Sequence, residues 1–319
     1  MTRFDVTTLG EAMLRLSVPA GERLEAMTAL DVHLGGAEGN VCAALASLGH
    51  RCSWVSRLPE SSLGRYVLRT LRAANVDTSA VVVAPDTRLG TYYVEFGALP
   101  RATEVIYDRE NAAITGLTVD ALDWDVLLDT HVLHLTGITP ALGGYCTELV
   151  LEVVTRAKAQ GVTVSFDVNY RSKLWTPEAA SAGLKALLPH IDLLICGEGD
   201  AQTVFGLSGD VHDVLTGLHD LTPARHIVLT QSQRGAATLL NGELVQIAGR
   251  ETVVLDRLGA GDAFAAGVLD GYLSGDIVRG LEQGVVLSAF VLAQHGDMLL
   301  TTREEMQREL DGLGKGLRR

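Results

Sequence analysis

Cysteine is scarce in this chain and is not arranged for joint work. Cys42, Cys52, Cys146 and Cys196 are scattered, share no metal-ligand spacing and each falls within an apolar segment. They read as reduced core thiols of a cytoplasmic protein, not as a disulfide framework or a zinc site. Long apolar runs are also missing. A helix that spans a bilayer needs about 18 or more apolar residues in succession, whereas the longest run, Val285 to Ala293, is broken by Ser288 and suits a core helix. The start, Met1-Thr2-Arg3-Phe4-Asp5, lacks the basic and then apolar layout of a signal peptide. No membrane partner is expected. Positive charge is in deficit: 26 Lys and Arg against 39 Asp and Glu leave a net charge of −13. That balance argues against nucleic acid as a partner, and an anionic ligand must be held by local donors against the overall field. No internal repeat, low-complexity tract or linker divides the 319 residues, so a single domain over 1–319 is expected.

What is present is a substantial apolar fraction, 47% of residues, enough for a large core. Strand-like and helix-like segments alternate. Phe4 to Leu9 reads as a strand. Leu14, Leu16 and Val18 alternate with polar or small residues, as in a half-exposed strand. A helix is expected over Val41 to Leu48, then strand Ser53 to Ser56, helix Leu63 to Ala73 and strand Ala80 to Val83. Gly90 to Phe96 and Thr103 to Tyr107 read as two strands of a small sheet with one wet face, joined through Gly97 and Pro100. Together with the strand near Met13 this predicts a small β lid formed by about 11–34 and 88–111. Further strands are expected at Val132 to Leu135, Val162 to Asp167, Ile191 to Cys196 and Ile227 to Thr230. Helices are expected from about Tyr145 to Gln160 and from Pro177. Asn241-Gly242 is the preferred two-residue hairpin turn between Gly235–Leu240 and Glu243–Ile247. Thr252 to Leu255 reads as a β-like run, followed by helices over Ala260 to Leu273, Ile277 to His295 and Arg303 to Leu310. His131 and His134 read as buried, hydrogen-bonded histidines. The alternation implies an α/β fold with a mostly parallel sheet covered on both faces and ligands at the carboxyl ends of its strands.

One stretch carries chemistry. In Asp256-Arg257-Leu258-Gly259-Ala260-Gly261-Asp262-Ala263-Phe264, glycines allow a tight turn whose N–H groups stay uncovered, and a helix begins at once. A helix start of this kind is an anion site. Asp262 would repel a phosphate there unless its role were to accept a proton from an attacking hydroxyl; the plain alternative is a helix-start acid. The string resembles the C-terminal signature of the ribokinase-like (PfkB) carbohydrate kinases, and Gly35-Gly36-Ala37-Glu38-Gly39-Asn40 resembles their N-terminal signature. The resemblance implies a ribokinase-like three-layer α/β/α fold, ATP and Mg²⁺ as cofactors, and catalysis by Asp262 with the N–H groups of Gly259, Ala260 and Gly261.

Asp167-x-Asn169-Tyr170-Arg171-x-x-Leu174-Trp175 and Tyr107-x-Arg109 are similar to the 2-keto-3-deoxygluconate kinases within that family. This implies a sugar acid surrounded by the backbone at Gly36 and the side chains of Asn40, Tyr92, Tyr107, Arg109, Arg171, Asp262 and Asp297. Guanidinium forks suit a carboxylate. The nucleotide would meet Asn169, Gly197, Thr230, Ser232, Gly235, Gly259 and Gly261, with magnesium held through water by Asp200 or Glu198. Two departures from the family pattern stand out. Gly197-Glu198-Gly199-Asp200 replaces the usual Asn-x-x-Glu, and Ser232 replaces a glycine in the nucleotide loop. A kinase for fructose, ribose or a nucleoside, and a catalytically weak ligand-binding relative, are the competing expectations. A homo-oligomer paired through lid edges is expected on the ground that exposed strand edges invite pairing.

Overall fold

The computed structural model describes residues 2–97 and 100–312. The expected domain over 1–319 and the loop between Gly97 and Pro100 therefore extend onto residues outside the described ones. Among the described residues, fourteen strands form three sheets. They are β1 (Phe4–Leu9), β2 (Met13–Ser17), β3 (Asp31–Gly35), β4 (Cys52–Val55), β5 (Arg57–Pro59), β6 (Val82–Ala84) and β7 (Gly90–Glu95). After these come β8 (Glu104–Asp108), β9 (Thr130–Thr136), β10 (Thr163–Asp167), β11 (Leu193–Gly197), β12 (His226–Thr230), β13 (Gly235–Leu240) and β14 (Glu243–Ala248).

The large sheet has the order β14-β13-β12-β11-β10-β9-β1-β4. Pairing is parallel from β4 through β12 and antiparallel at β13 and β14. Its central strands are apolar on both faces, as in Leu193-Leu194-Ile195-Cys196, because helices cover both. One core layer lies under helices Cys146–Ala159, Pro177–Leu187 and Val211–Leu221. The opposite layer lies under Ala37–Ser47, Ala260–Leu273 and Ile277–Leu292. The architecture is the expected α/β/α sandwich. β14, at the edge, is mostly exposed, and its hairpin turns through Asn241 and Gly242, both at positive φ.

A four-stranded sheet, β3-β2-β7-β8, stands apart from the large one. Arg15 of β2 lies opposite His33 of β3 and Tyr92 of β7, and Tyr92 lies opposite Tyr107 of β8. β5 and β6 make a third, two-stranded sheet, so the segment after helix Ser62–Ala73 does not join the large one.

The two helices Ala260–Leu273 and Ile277–Leu292 cross at backbone contact. A Cβ at Gly267 would run into the backbone nitrogen of Gly284, and one at Gly271 into Cα of Gly280. Helix Ala37–Ser47 packs on Ala260–Leu273 and is almost wholly buried.

Several expectations need correction. Thr252 to Leu255 forms no strand; it lies on the surface with Val253 77% exposed, held by a Leu255 N–H bond to the Leu292 carbonyl. β2 is buried on both faces rather than half exposed, because Arg15 points inward to ionic partners. The first helix begins at Ala37, four residues before Val41, so Asn40 sits inside it and does not cap it. The helix from Ile277 stops at Leu292, short of His295. Helix Val211–Leu221 and strand β3 were not anticipated. His134 is buried, with its Nδ1 3.0 Å from Ser165 Oγ, and burial pushes its pKa down to about 3, whereas His131 is exposed. All four cysteines are free and buried.

Candidate active site

Helix Ala260–Leu273 starts at Gly259, whose φ of +82° places it in the left-handed region. A side chain there would also strike the Asp297 carbonyl oxygen, so glycine is required twice over. The space a Cβ at Gly261 would take is open, which leaves the turn's N–H groups accessible from above. Asp262 is buried in the first turn, and its Oδ2 accepts a 2.7 Å hydrogen bond from Asn40 Nδ2. Burial raises the Asp262 pKa; the Asn40 bond and the Arg171 charge oppose this, and Asp297 adds to it. Asn40 is carried by the helix that begins at Ala37, so two helix starts meet at one carboxylate.

The carboxyl ends of β10 and β11 add two more acids. Asp167 has its pKa pushed up to about 8, by burial first and then by the negative charges of Asp262 and Asp200. Asp200 is raised by burial while accepting the Tyr170 N–H at 3.2 Å. Arg171 is exposed and lowers the pKa of all three acids through its charge. Asp167, Asp200 and Asp262 therefore form an acidic cluster with one nearby cation. Below them Glu38 accepts hydrogen bonds of 2.8 Å from both Thr136 and Thr139, and burial drives its pKa to about 7.

Beside the cluster lies a cavity of about 720 Å³ whose walls include Tyr107, Arg109, Tyr170, Arg171 and Lys173. It brings Arg109 and Arg171 to one space, although Asn40 and Asp262 are not among its lining residues. Tyr107 stacks on Tyr92 with ring centres 5.6 Å apart. Arg109 is not free: its guanidinium pairs with the carboxylate of buried Glu11. Burial raises the Glu11 pKa against the pull of Arg109. Arg109 Nε and Glu11 Oε1 are buried without partners. Tyr92 is buried, and its hydroxyl donates to Asp297 rather than facing the cavity. Asp297 also receives Arg15, and burial raises its pKa. Gly36, at φ +150°, abuts the Glu11 carbonyl.

Asn169, Gly197 and Thr230 lie at or just beyond the carboxyl ends of β10, β11 and β12, with Gly197 directly opposite Thr230. Asn169 has φ +41° and donates its N–H to Asp167 Oδ1 at 3.2 Å. Ser232 has φ +52°, the backbone state a glycine would hold without strain, and Gly235 follows at +104°. Glu198 is committed: one oxygen accepts from Gln231 Nε2 at 3.2 Å and the other pairs with Arg234. Among the described residues no group of three or more His, Cys, Asp or Glu is placed to hold a metal directly.

Sequence reasoning missed Arg15, Glu11, Glu38 and the part played by Asp167. Glu38 and Asp167 lie within the motifs that carry the family resemblance, so their position was available and only their burial was not. Arg15 and Glu11 carried no such signal.

The profile of the pfkB family carbohydrate kinases matches residues 3–303. The chain is 37% identical to the 2-dehydro-3-deoxygalactonokinase of Haloferax volcanii over 316 residues, 99% of each chain. It is 30% identical to the 2-dehydro-3-deoxygluconokinase of Thermoproteus tenax, over 92% of this chain and 89% of that one. The crystal structure of 2-dehydro-3-deoxygluconokinase from Thermotoga maritima superposes with a TM-score of 0.91 at 31% identity, covering 97% of this chain and 98% of its own.

Proposed function

The chain belongs to the pfkB family of carbohydrate kinases, and we propose that within it this sugar kinase phosphorylates a 2-keto-3-deoxy sugar acid, 2-keto-3-deoxygluconate, at its 6-hydroxyl. The reading rests on one observation above all: Arg109 and Arg171, distant in sequence, line a single cavity, and Arg171 also lies within electrostatic reach of buried Asp262. Arg171 and the Arg109 donors that Glu11 does not use suit a carboxylate and offer little to a neutral sugar.

Asp262 takes the proton from the attacking hydroxyl, aided by a pKa lifted toward the working range. Asn40 holds the carboxylate in one orientation. The N–H groups of Gly259, Ala260 and Gly261 face the transferred phosphoryl of ATP, where fixed donors stabilise developing charge. Asn169, Gly197, Thr230, Ser232 and Gly235 border the nucleotide. Mg²⁺ fits the acidic cluster: the charges of Asp262 and Asp200 raise the proton affinity of Asp167, and a hydrated cation would relieve that repulsion. Asp200, with Asp167 beside it, would hold the ion through water, and the ion would neutralise phosphate charge; Glu198 is tied to Arg234. The small sheet acts as a lid that excludes water from the reaction.

A second reading, the galactonate epimer as substrate, is favoured by the Haloferax relative. A coupled ADP-release assay over both 2-keto-3-deoxy acids, fructose and ribose decides the matter. The acids should exceed the neutral sugars in kcat/KM by about tenfold or more, the scale of one charged hydrogen bond. Preference for a neutral ketose would overturn the assignment.

A further inference from the structure

Arg15 is wholly buried, yet no motif names it. Its guanidinium spans two carboxylates: Nη1 donates to Asp297 Oδ1 at 2.6 Å and Nη2 to Asp256 Oδ2 at 2.5 Å. Each acid belongs to a different wall of the cradle. Asp256 Oδ1 accepts the Leu258 N–H at 3.1 Å, which shapes the turn into Gly259, and its Oδ2 accepts the Gly296 N–H at 3.2 Å. Asp297 presses its backbone carbonyl against Gly259 and takes the Tyr92 hydroxyl on its second oxygen. One side chain from the small sheet thus fastens both segments that set where the cradle's N–H groups lie.

The same side chain sits in a row. His33, Arg15, Tyr92 and Tyr107 are cross-strand neighbours on the inner face of the small sheet, and Tyr107 reaches the cavity. A buried ion pair is a poor source of stability, since desolvation offsets most of the attraction. Its strength is geometry: a planar fork admits only one arrangement of two carboxylates. We propose that Arg15 is a positioning residue for phosphoryl transfer, which through Asp256 and Asp297 couples the seating of the small sheet over the sugar to the alignment of the Gly259–Asp262 cradle. Arg15 touches neither sugar nor phosphate. The inference rests on the phosphoryl-transfer reading of the cradle.

Three variants test it: Arg15→Lys, which keeps the charge but not the fork; Asp256→Asn; and the two combined, which keeps a positive charge beside Asp297 and completes the cycle. Sugar-dependent and sugar-independent ADP release are measured for each, because their ratio does not depend on the fraction of protein folded. Wild-type protein is assayed first on the sugar acids. Failure of the wild type sinks the kinase reading itself and is distinct from any failure of the variants. With wild type active, each variant should lose about 10- to 100-fold in sugar-dependent kcat, the scale of a small misplacement at reacting groups. Sugar-independent release should fall by a smaller factor, because only the sugar-dependent rate needs the small sheet seated over the sugar. The ratio therefore falls, and the combined variant should be no worse than the single ones because all break one linkage. Arg15→Lys at wild-type ratio overturns the proposal. So does a combined loss equal to the product of separate losses, and so does a fall of both rates in step.

Discussion

Asn40 and Asp262 join the first turns of two helices through one hydrogen bond of 2.7 Å. The bond leaves Asp262 a single free oxygen and fixes the direction in which it points. A carboxylate oriented in this way, buried and raised in pKa, is prepared to receive a proton and unsuited to binding a phosphate.

Asp262→Asn should therefore keep sugar and ATP binding while lowering kcat by about 10²–10⁴-fold, the usual contribution of a positioned base. Steady-state kinetics with a direct binding measurement checks this. Near-normal turnover would reduce Asp262 to a helix-start acid.

Arg109 and Arg171 should differ in a way that composition alone does not suggest. Either change to Gln should raise the sugar-acid KM by about tenfold to a hundredfold and leave the ATP KM unchanged. Only Arg109→Gln strands a buried partner, Glu11, so only it should cost stability, on the order of 3–5 kcal/mol. Adding Glu11→Gln should restore most of the lost stability without restoring the KM. Thermal melts of the three variants beside wild type test this, and equal melts for both single variants would refute it.

Stability should fall as pH rises from about 5 to about 8. Glu38 and Asp167 have folded-state pKa values of about 7 and about 8 against ordinary values of 4.5 and 3.8. Each keeps its proton in the folded chain over a range where the unfolded chain has lost it. Their contribution is complete below the ordinary values and disappears as pH passes the raised ones. Melting curves of the ligand-free protein across this range should show the slope, and Glu38→Gln should flatten its lower part. A Tm that rises steadily from pH 5 to 8 would contradict both assignments.

Ser232→Gly should leave stability within about 1 kcal/mol of wild type, because relief of a residue at φ +52° is offset by the added freedom of the unfolded chain. Ser232→Val should lose about 1–3 kcal/mol at the same backbone angle. Chemical denaturation distinguishes them. If Gly tightens ATP binding, serine there is strained; if Gly weakens it, the Ser232 hydroxyl contacts nucleotide.

The cradle and its acid were legible because their chemistry is local: turn, helix start and carboxylate fall within a few residues, Gly259 to Asp262. The layered sheet was legible for a related reason, since apolar strands alternate with amphipathic helices along the whole chain. Arg15 was not. Period-two alternation shows which residues of β2 share a face, but not that both faces are covered, and the two acids that make burial tolerable lie at Asp256 and Asp297, far along the chain. Thr252 to Leu255 misled for the opposite reason: an apolar run becomes a strand only when a partner edge is available, and none pairs with it. Helix Val211–Leu221 was announced by the Asp210–Asp213 capping box, a signal present in the sequence but unused. The first helix was placed late because Gly39, a poor helix former, lies inside it.

The glycine-lined crossing of helices Ala260–Leu273 and Ile277–Leu292 has a consequence for the order in which the molecule comes apart. Backbones in contact leave no side-chain layer that can loosen by degrees, so the crossing persists intact or is lost entirely. Amide protons along it should exchange with solvent only when the whole chain unfolds, whereas those of the four-stranded sheet can exchange through smaller openings that release that sheet alone. The Gly259–Asp262 turn is thus mounted on the last part of the protein to melt, and the four-stranded sheet is a part that can detach first.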